Sequence, residues 1–149
     1  MAAEVRARCS HAVIRGTIPD PARLPGSHYE GGNLRLHHYA PVEPAHVTPI
    51  LLVYALTKRA FILDRAPDRS VVQSLARQGF DVYLTDWIPP ADGDSWRGLD
   101  AYVNNDLVNA ARVIVAERRT NHVSIIGYCL GALLAVIYAA LHPDTYTIS

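Results

Sequence analysis

Short apolar runs along the chain predict the strands of a sheet. Residues 50–55 are apolar throughout, residues 80–87 mix aromatic and β-branched side chains, and residues 122–127 centre on three β-branched residues. Runs of this kind are typical of strands that are covered on both faces, as in a parallel sheet. Residues 34–39 alternate instead, which predicts a further short strand after a glycine-rich turn.

Three longer segments predict helices. The first spans residues 69–78, with Asp68 as the expected N-cap and Gly79 as its end. The second covers residues 100–119 and starts at an aspartate, another expected N-cap. The third, residues 130–141, is apolar on nearly every face, which indicates burial.

The order of these elements predicts an α/β fold. Strands that alternate with helices are expected to form a parallel, doubly wound sheet with helices on both faces. Right-handed crossovers would bring the loops after residues 55, 87 and 128 to one edge of that sheet. Residues 1–27 show no sustained period and are interpreted as an N-terminal arm, so that residues 28–149 form the α/β unit.

The turn before the last helix carries the most specific motif, Gly127-Tyr128-Cys129-Leu130-Gly131. Strand, sharp turn and helix in succession match the G-x-S-x-G nucleophile elbow of α/β hydrolases, with a cysteine in place of the serine. Side chains two residues before and after the nucleophile would collide, which favours Gly127 and Gly131. Cys129 is therefore the candidate nucleophile, at a helix start whose dipole favours a thiolate. The alternative is a cysteine that only packs in the core.

Two backbone N–H groups are candidates for an oxyanion hole. Leu130 directly follows the candidate nucleophile, where such folds place one donor. Leu56 lies in the loop after residues 50–55, which supplies the second donor in α/β hydrolases. An ordinary turn at Leu56 is the alternative.

Other titratable residues do not form a convincing site in the sequence. Adjacent His37 and His38 would face opposite ways in a strand, so no metal site is expected there. Asp86 is interpreted as a loop-capping carboxylate rather than a catalytic acid. His122 precedes the elbow strand and His142 lies more than three helical turns beyond Cys129, so neither is expected to be the general base.

Composition limits the classes of function. The chain has 149 residues, 14 basic and 14 acidic, which gives no electrostatic footprint for nucleic acid. Two cysteines, Cys9 and Cys129, are too few for a disulfide framework and predict a reducing cytoplasm. Neither a signal peptide nor a run of membrane-spanning length is present in the sequence.

The motifs together resemble the polyhydroxyalkanoate synthases, most closely the type whose catalytic subunit works with a second, smaller subunit. The resemblance extends from about residue 29 to residue 144 and rests on segments that occur in the family's order and spacing. These segments are Leu52-Val53-Tyr54-Ala55-Leu56, Asp68-Arg69-Ser70, Gly79-Phe80-Asp81-Val82-Tyr83-Leu84-Thr85-Asp86-Trp87, Leu99-Asp100-Ala101-Tyr102-Val103, the elbow itself, and Tyr138-Ala139-Ala140-Leu141-His142-Pro143-Asp144.

The resemblance implies an acyltransferase that polymerises (R)-3-hydroxyacyl coenzyme A through a covalent acyl intermediate on Cys129. The thioester is the substrate, so no cofactor is expected. The implied partners are the growing polyester, a second synthase subunit and a second copy of the chain, in the cytoplasm or at a polyester granule.

Two features depart from the family. Ala132 stands where the family's elbow has a further glycine, and only twenty residues follow Cys129. The supporting aspartate and histidine come after the nucleophile in such folds. The chain is therefore expected to be an incomplete fragment. Two alternatives stay open, namely a thiol-dependent hydrolase of esters or thioesters and an inactive remnant that only binds a partner.

Overall fold

Five strands form one mixed sheet in the order β1-β2-β4-β3-β5. The structure is a computed structural model that describes residues 27–56, 60–66, 69–89 and 97–143. The strands are β1 (Ser27–Gly31), β2 (Leu34–Tyr39), β3 (Ile50–Val53), β4 (Val82–Trp87) and β5 (Ser124–Gly127). The α/β class and four of these strands confirm the sequence prediction.

The sheet is parallel only in part, which corrects the prediction of a parallel sheet. Strand β3 is parallel to both β4 and β5, whereas β2 pairs antiparallel with β1 and with β4. Residues 40–49, which connect β2 to β3, contain no helix. Such a short connection cannot make the crossover that parallel strands require, so β2 runs opposite to β3.

Strand β1 was not predicted. It forms a hairpin with β2 across a turn in which Gly32 has a φ of 60°. Its sequence, SHYEG, has no apolar alternation and so gave no strand signal. The strand forms because its backbone pairs with β2 at the edge of the sheet. Apart from Ser27, the predicted arm lies outside the described residues.

Within the described residues, three α-helices flank the sheet. Helix α1 covers Val71–Arg77, and α3 covers Leu130–Leu141, as predicted. Helix α2 begins at Leu99–Ala101, widens into a π-helical segment at Tyr102–Leu107 and continues as Val108–Arg118. A short 3-10 helix, Ala60–Leu63, precedes α1.

Both predicted helix caps differ from the structure. Ser70 caps α1, because its hydroxyl accepts a hydrogen bond from the Gln73 N–H at 3.0 Å. Asp68 lies outside the described residues. Helix α2 starts one residue earlier than predicted, with Gly98 as N-cap and Asp100 inside the first turn.

The helices cover both faces of the sheet, as the pattern predicts. Alternate residues of β3 and β4 enter two separate apolar clusters. One cluster contains Ile50, Leu52, Val82 and Leu84 with residues of α1, and the other contains Leu51, Val53, Tyr83 and Trp87 with residues of α2 and α3. Because β3, β4 and β5 are parallel, their carboxyl ends meet at one edge of the sheet.

Candidate active site

Cys129 lies at that edge, in the turn between β5 and α3. Its backbone has φ 58° and ψ −127°, a combination that L-residues rarely adopt. The turn is fixed on both sides, since the Gly131 N–H donates to the Tyr128 carbonyl and the Ala132 N–H to the Cys129 carbonyl, each at 3.0 Å. Cys129 is exposed, which leaves its thiol accessible.

Close backbone packing explains both glycines of the motif. A Cβ at Gly127 would overlap Ala132 Cα and lie 2.9 Å from the Gly131 carbonyl oxygen. A Cβ at Gly131 would instead overlap the Val53 carbonyl oxygen and lie 2.7 Å from its carbonyl carbon. Gly131 thus allows the first turn of α3 to approach the end of β3. Ala132, where the family has a glycine, is accommodated beside Gly127.

The end of β3 contacts the turn through a hydrogen bond and a pair of stacked rings. The Tyr128 N–H donates to the Val53 carbonyl at 2.9 Å, and the rings of Tyr54 and Tyr128 stack with centroids 5.6 Å apart. Burial raises the pKa of the Tyr54 phenol, and the nearby Tyr128 and Cys129 raise it further. A phenol that stays neutral next to Cys129 does not add a negative charge beside a thiolate.

The two candidate oxyanion donors occupy the expected loops. Leu130 is the first residue of α3, where backbone N–H groups have no partner within the helix. Leu56 follows β3 and packs half-buried against the apolar cluster shared by α2 and α3. The loop continues into residues 57–59, which lie outside the described residues.

Asp86 contacts strand β2, which the interpretation from sequence did not include. It lies within β4 and is buried, and its carboxylate is 3.4 Å from the His37 Nε2 atom and 3.9 Å from the Arg35 guanidinium. Both partners belong to β2, so this contact depends on the antiparallel pairing that the sequence did not predict.

The histidines considered as bases lie in other parts of the fold. His122 precedes β5, at the opposite end of that strand from Cys129. His142 lies at the far end of α3, thirteen residues after Cys129 or about 20 Å along the helix axis, and contacts Asn104 Oδ1 at 3.0 Å. Within the described residues, no cluster of three or more histidine, cysteine or acidic side chains is arranged to hold a metal ion.

Thr85 and Trp87 at the end of β4 are site residues that the sequence reasoning missed. The Thr85 hydroxyl accepts from the Tyr54 N–H at 2.9 Å, and the Trp87 indole donates to the Tyr54 carbonyl at 2.7 Å. Their spacing of two residues places them on one face of β4, beside β3. Polar groups in an otherwise apolar strand are the sequence signal that could have found them.

Comparison with known proteins agrees with this architecture. A family model described as the alpha/beta hydrolase fold matches residues 48–145. The chain belongs to the α/β-hydrolase family. Among solved structures, a thermostable carboxyl esterase from Bacillus coagulans superimposes with a TM-score of 0.60 at 16% identity, covering 82% of this chain and 40% of the esterase.

Sequence comparison adds relatives with names of their own. The chain is 44% identical over 117 residues to the poly(3-hydroxyalkanoate) polymerase subunit PhaC of Haloferax mediterranei, covering 78% of this chain and 24% of that protein. It is 35% identical over 117 residues to the subunit of the same name from Synechocystis, covering 78% of this chain and 31% of that protein. These relatives confirm the resemblance to polyhydroxyalkanoate synthases. The chain spans about a quarter to a third of their length.

Proposed function

We propose that this chain is the nucleophile-bearing part of a poly(3-hydroxyalkanoate) synthase, an acyltransferase. The conformation of Cys129 carries the proposal: an exposed thiol at positive φ, between a strand and the start of a helix. The polymerase relatives support a hydroxyacyl coenzyme A thioester as the substrate. No metal or cofactor enters the proposal.

The proposed chemistry is a transfer between two sulfur atoms. The Cys129 thiolate attacks the thioester carbonyl and forms an Sγ–C bond, and the N–H groups of Leu130 and Leu56 stabilise the negative oxygen. The tetrahedral intermediate collapses, the C–S bond to coenzyme A breaks, and the proton from Cys129 ends on the coenzyme A sulfur. The 3-hydroxyl oxygen of a further substrate then attacks the acyl carbon and forms an ester bond. The C–S bond to Cys129 breaks, and the hydroxyl proton returns to the Cys129 sulfur.

The partners and the cellular location of the enzyme are part of the same proposal. A second, smaller subunit, a second copy of the chain and a polyester granule in the cytoplasm are the partners that the synthase assignment implies. Among the residues that the structure describes, none of the helices has the length and hydropathy of a membrane-spanning segment.

Acylation of Cys129 is the direct test. The protein is incubated with 3-hydroxybutyryl coenzyme A at mildly alkaline pH and analysed by intact mass, peptide mapping and chromatography of released coenzyme A. We expect one hydroxybutyryl adduct on Cys129 and an equal amount of coenzyme A. Ester-linked oligomers would indicate polymerisation, whereas free 3-hydroxybutyrate alone would favour the hydrolase alternative.

Each cysteine is replaced separately as a control. Cys129→Ala should abolish the adduct, while Cys9→Ala, which removes the other cysteine of the chain, should retain it. A folded wild-type protein without adduct, or an adduct that persists in Cys129→Ala, contradicts the proposal.

A further inference from the structure

Strands β3 and β4 separate at the edge that carries Cys129. Their ladder ends at the pair Leu52–Leu84, whereas the ladder between β3 and β5 continues to Val53–Gly127. Beyond Leu52, the backbone of β3 is therefore held on one side by β5 and on the other by side chains of β4. Those side chains are Thr85 and Trp87.

The contacts fix three successive polar groups of the backbone. In the peptide unit between Val53 and Tyr54, the carbonyl accepts from the Tyr128 N–H and the N–H donates to the Thr85 hydroxyl, both at 2.9 Å. The next carbonyl, that of Tyr54, accepts from the Trp87 indole at 2.7 Å. The elbow and the end of β4 are thus linked through one peptide unit.

These contacts are shielded from water. Thr85 is completely buried, and Tyr54 and Trp87 are each 3% exposed. A buried backbone group that loses its partner is not rehydrated, so the chain must shift to find another. The hydrogen bonds with Thr85 and Trp87 hold the peptide units 53–54 and 54–55 and therefore restrict where the following unit, 55–56, can lie. That next unit carries the N–H of Leu56.

We infer that Thr85 and Trp87 are positioning residues for the oxyanion hole. They orient the backbone of residues 54–56 so that the Leu56 N–H points to the same place as the Leu130 N–H, above Cys129. This inference rests on the proposed function. Oxyanion stabilisation depends on donors that are fixed before reaction, and a displacement of about 1 Å can cost 100-fold in rate.

Two substitutions remove one contact each. Trp87→Phe removes the indole donor and keeps an aromatic ring, and Thr85→Val removes the hydroxyl at nearly constant volume. Thr85→Ser keeps the hydroxyl and should rescue the rate. Tyr83→Phe is the matched control: it lies on the same strand, is fully buried and loses one hydrogen bond, from Arg118, at the opposite edge of the sheet.

Single-turnover acylation of Cys129 is measured against the concentration of 3-hydroxybutyryl coenzyme A. Trp87→Phe and Thr85→Val should lower the maximal rate roughly 10- to 100-fold and leave the half-saturating concentration nearly unchanged, because only transition-state stabilisation is lost. Thr85→Ser and Tyr83→Phe should stay near the wild-type rate. Equal rates in all variants, or an equal loss in Tyr83→Phe, would overturn the inference.

Two further measurements separate positioning from folding and from the proposed function. The carbonyl stretching frequency of the acyl-enzyme should rise in Trp87→Phe and Thr85→Val, since a less polarised carbonyl is stiffer. Amide hydrogen exchange at residues 54–56 should accelerate in the same two variants, and this readout does not require acylation. If the wild type is not acylated the proposed function fails, while unchanged exchange overturns the positioning role in either case.

Discussion

Cys129 combines a strained backbone with an exposed thiol. At φ 58° and ψ −127° a side chain crowds its own backbone, and the conformation persists because hydrogen bonds on both sides hold the turn. The result is a sulfur that stands above the sheet edge rather than packing in the core. The strained backbone and the exposed thiol distinguish Cys129 from a buried structural cysteine.

Replacement of Cys129 by glycine should therefore stabilise the fold while it removes the thiol. Glycine adopts positive φ without steric cost, and we expect the free energy of unfolding to rise by about 1 kcal/mol relative to Cys129→Ala. Urea denaturation followed by circular dichroism measures the difference. Equal midpoints for the two variants would show that the turn stores no strain.

The π-helical segment of α2 holds the β1–β2 hairpin in place. Asp106 in this segment is buried, pairs with the Arg97 guanidinium at 2.6 Å, and accepts a backbone hydrogen bond from Asn33 in the hairpin turn. A Cβ at Gly32 of the same turn would overlap the Asp106 carboxylate. Burial raises the pKa of Asp106, and the hydrogen bond and charge of Arg97 only partly oppose this.

This raised pKa gives stability a pH dependence of known sign. The folded chain holds the Asp106 proton to higher pH than the unfolded chain, so stability from this group decreases as pH rises above the ordinary aspartate value of 3.8. The change amounts to about 1.4 kcal/mol for each unit by which the pKa is raised. Asp106→Asn should abolish this component.

Unfolding of the wild type and Asp106→Asn is compared across the acidic range. The free energy of unfolding of the wild type minus that of Asp106→Asn isolates Asp106 from the other carboxylates. This difference should fall with rising pH and then level off. A difference that is constant, or that grows with pH, would contradict the burial argument.

At the scale of the molecule, both α3 and β5 expose large apolar side chains. Large apolar side chains of α3 and β5 are strongly exposed among the described residues: Ile126, Leu133, Val136 and Leu141, with Val136 at 66%. β5 is the last strand in the sheet order, so the far side of its backbone is not paired within the described sheet. Exposed apolar surface beside an unpaired strand favours association.

A charged pair on α3 should reduce that association. Val136→Glu together with Ala140→Lys places opposite charges one turn apart and leaves the net charge unchanged. Size-exclusion chromatography with light scattering should show a lower apparent mass at high protein concentration than for the wild type. Asn109→Glu, at an exposed polar position of α2, is the control and should leave the apparent mass at the wild-type value. An unchanged mass for the α3 variant would show that this surface does not drive association.

Much of the fold can be predicted from the sequence, because the spacing of apolar residues indicates which side of a strand or helix is buried. The bounds of β2 and α3 were predicted to the residue, since alternation marks the first and a breaker-free apolar segment marks the second. The spacing of Gly127, Cys129 and Gly131 likewise predicted a sharp turn from strand to helix, because few residue types tolerate such a backbone.

The sequence by itself determined which segments form β2 to β5 and the three helices, and where the turn with Cys129 lies, because these depend on neighbouring residues. Only the tertiary structure decided which elements become partners. It paired β1 and β2 antiparallel at one edge, brought Asp86 against His37 of β2, and placed Gly131 on Val53. It also used Thr85 and Trp87 to hold Tyr54. A local pattern specifies that a group will be buried, whereas the partner that satisfies it comes from a distant part of the chain.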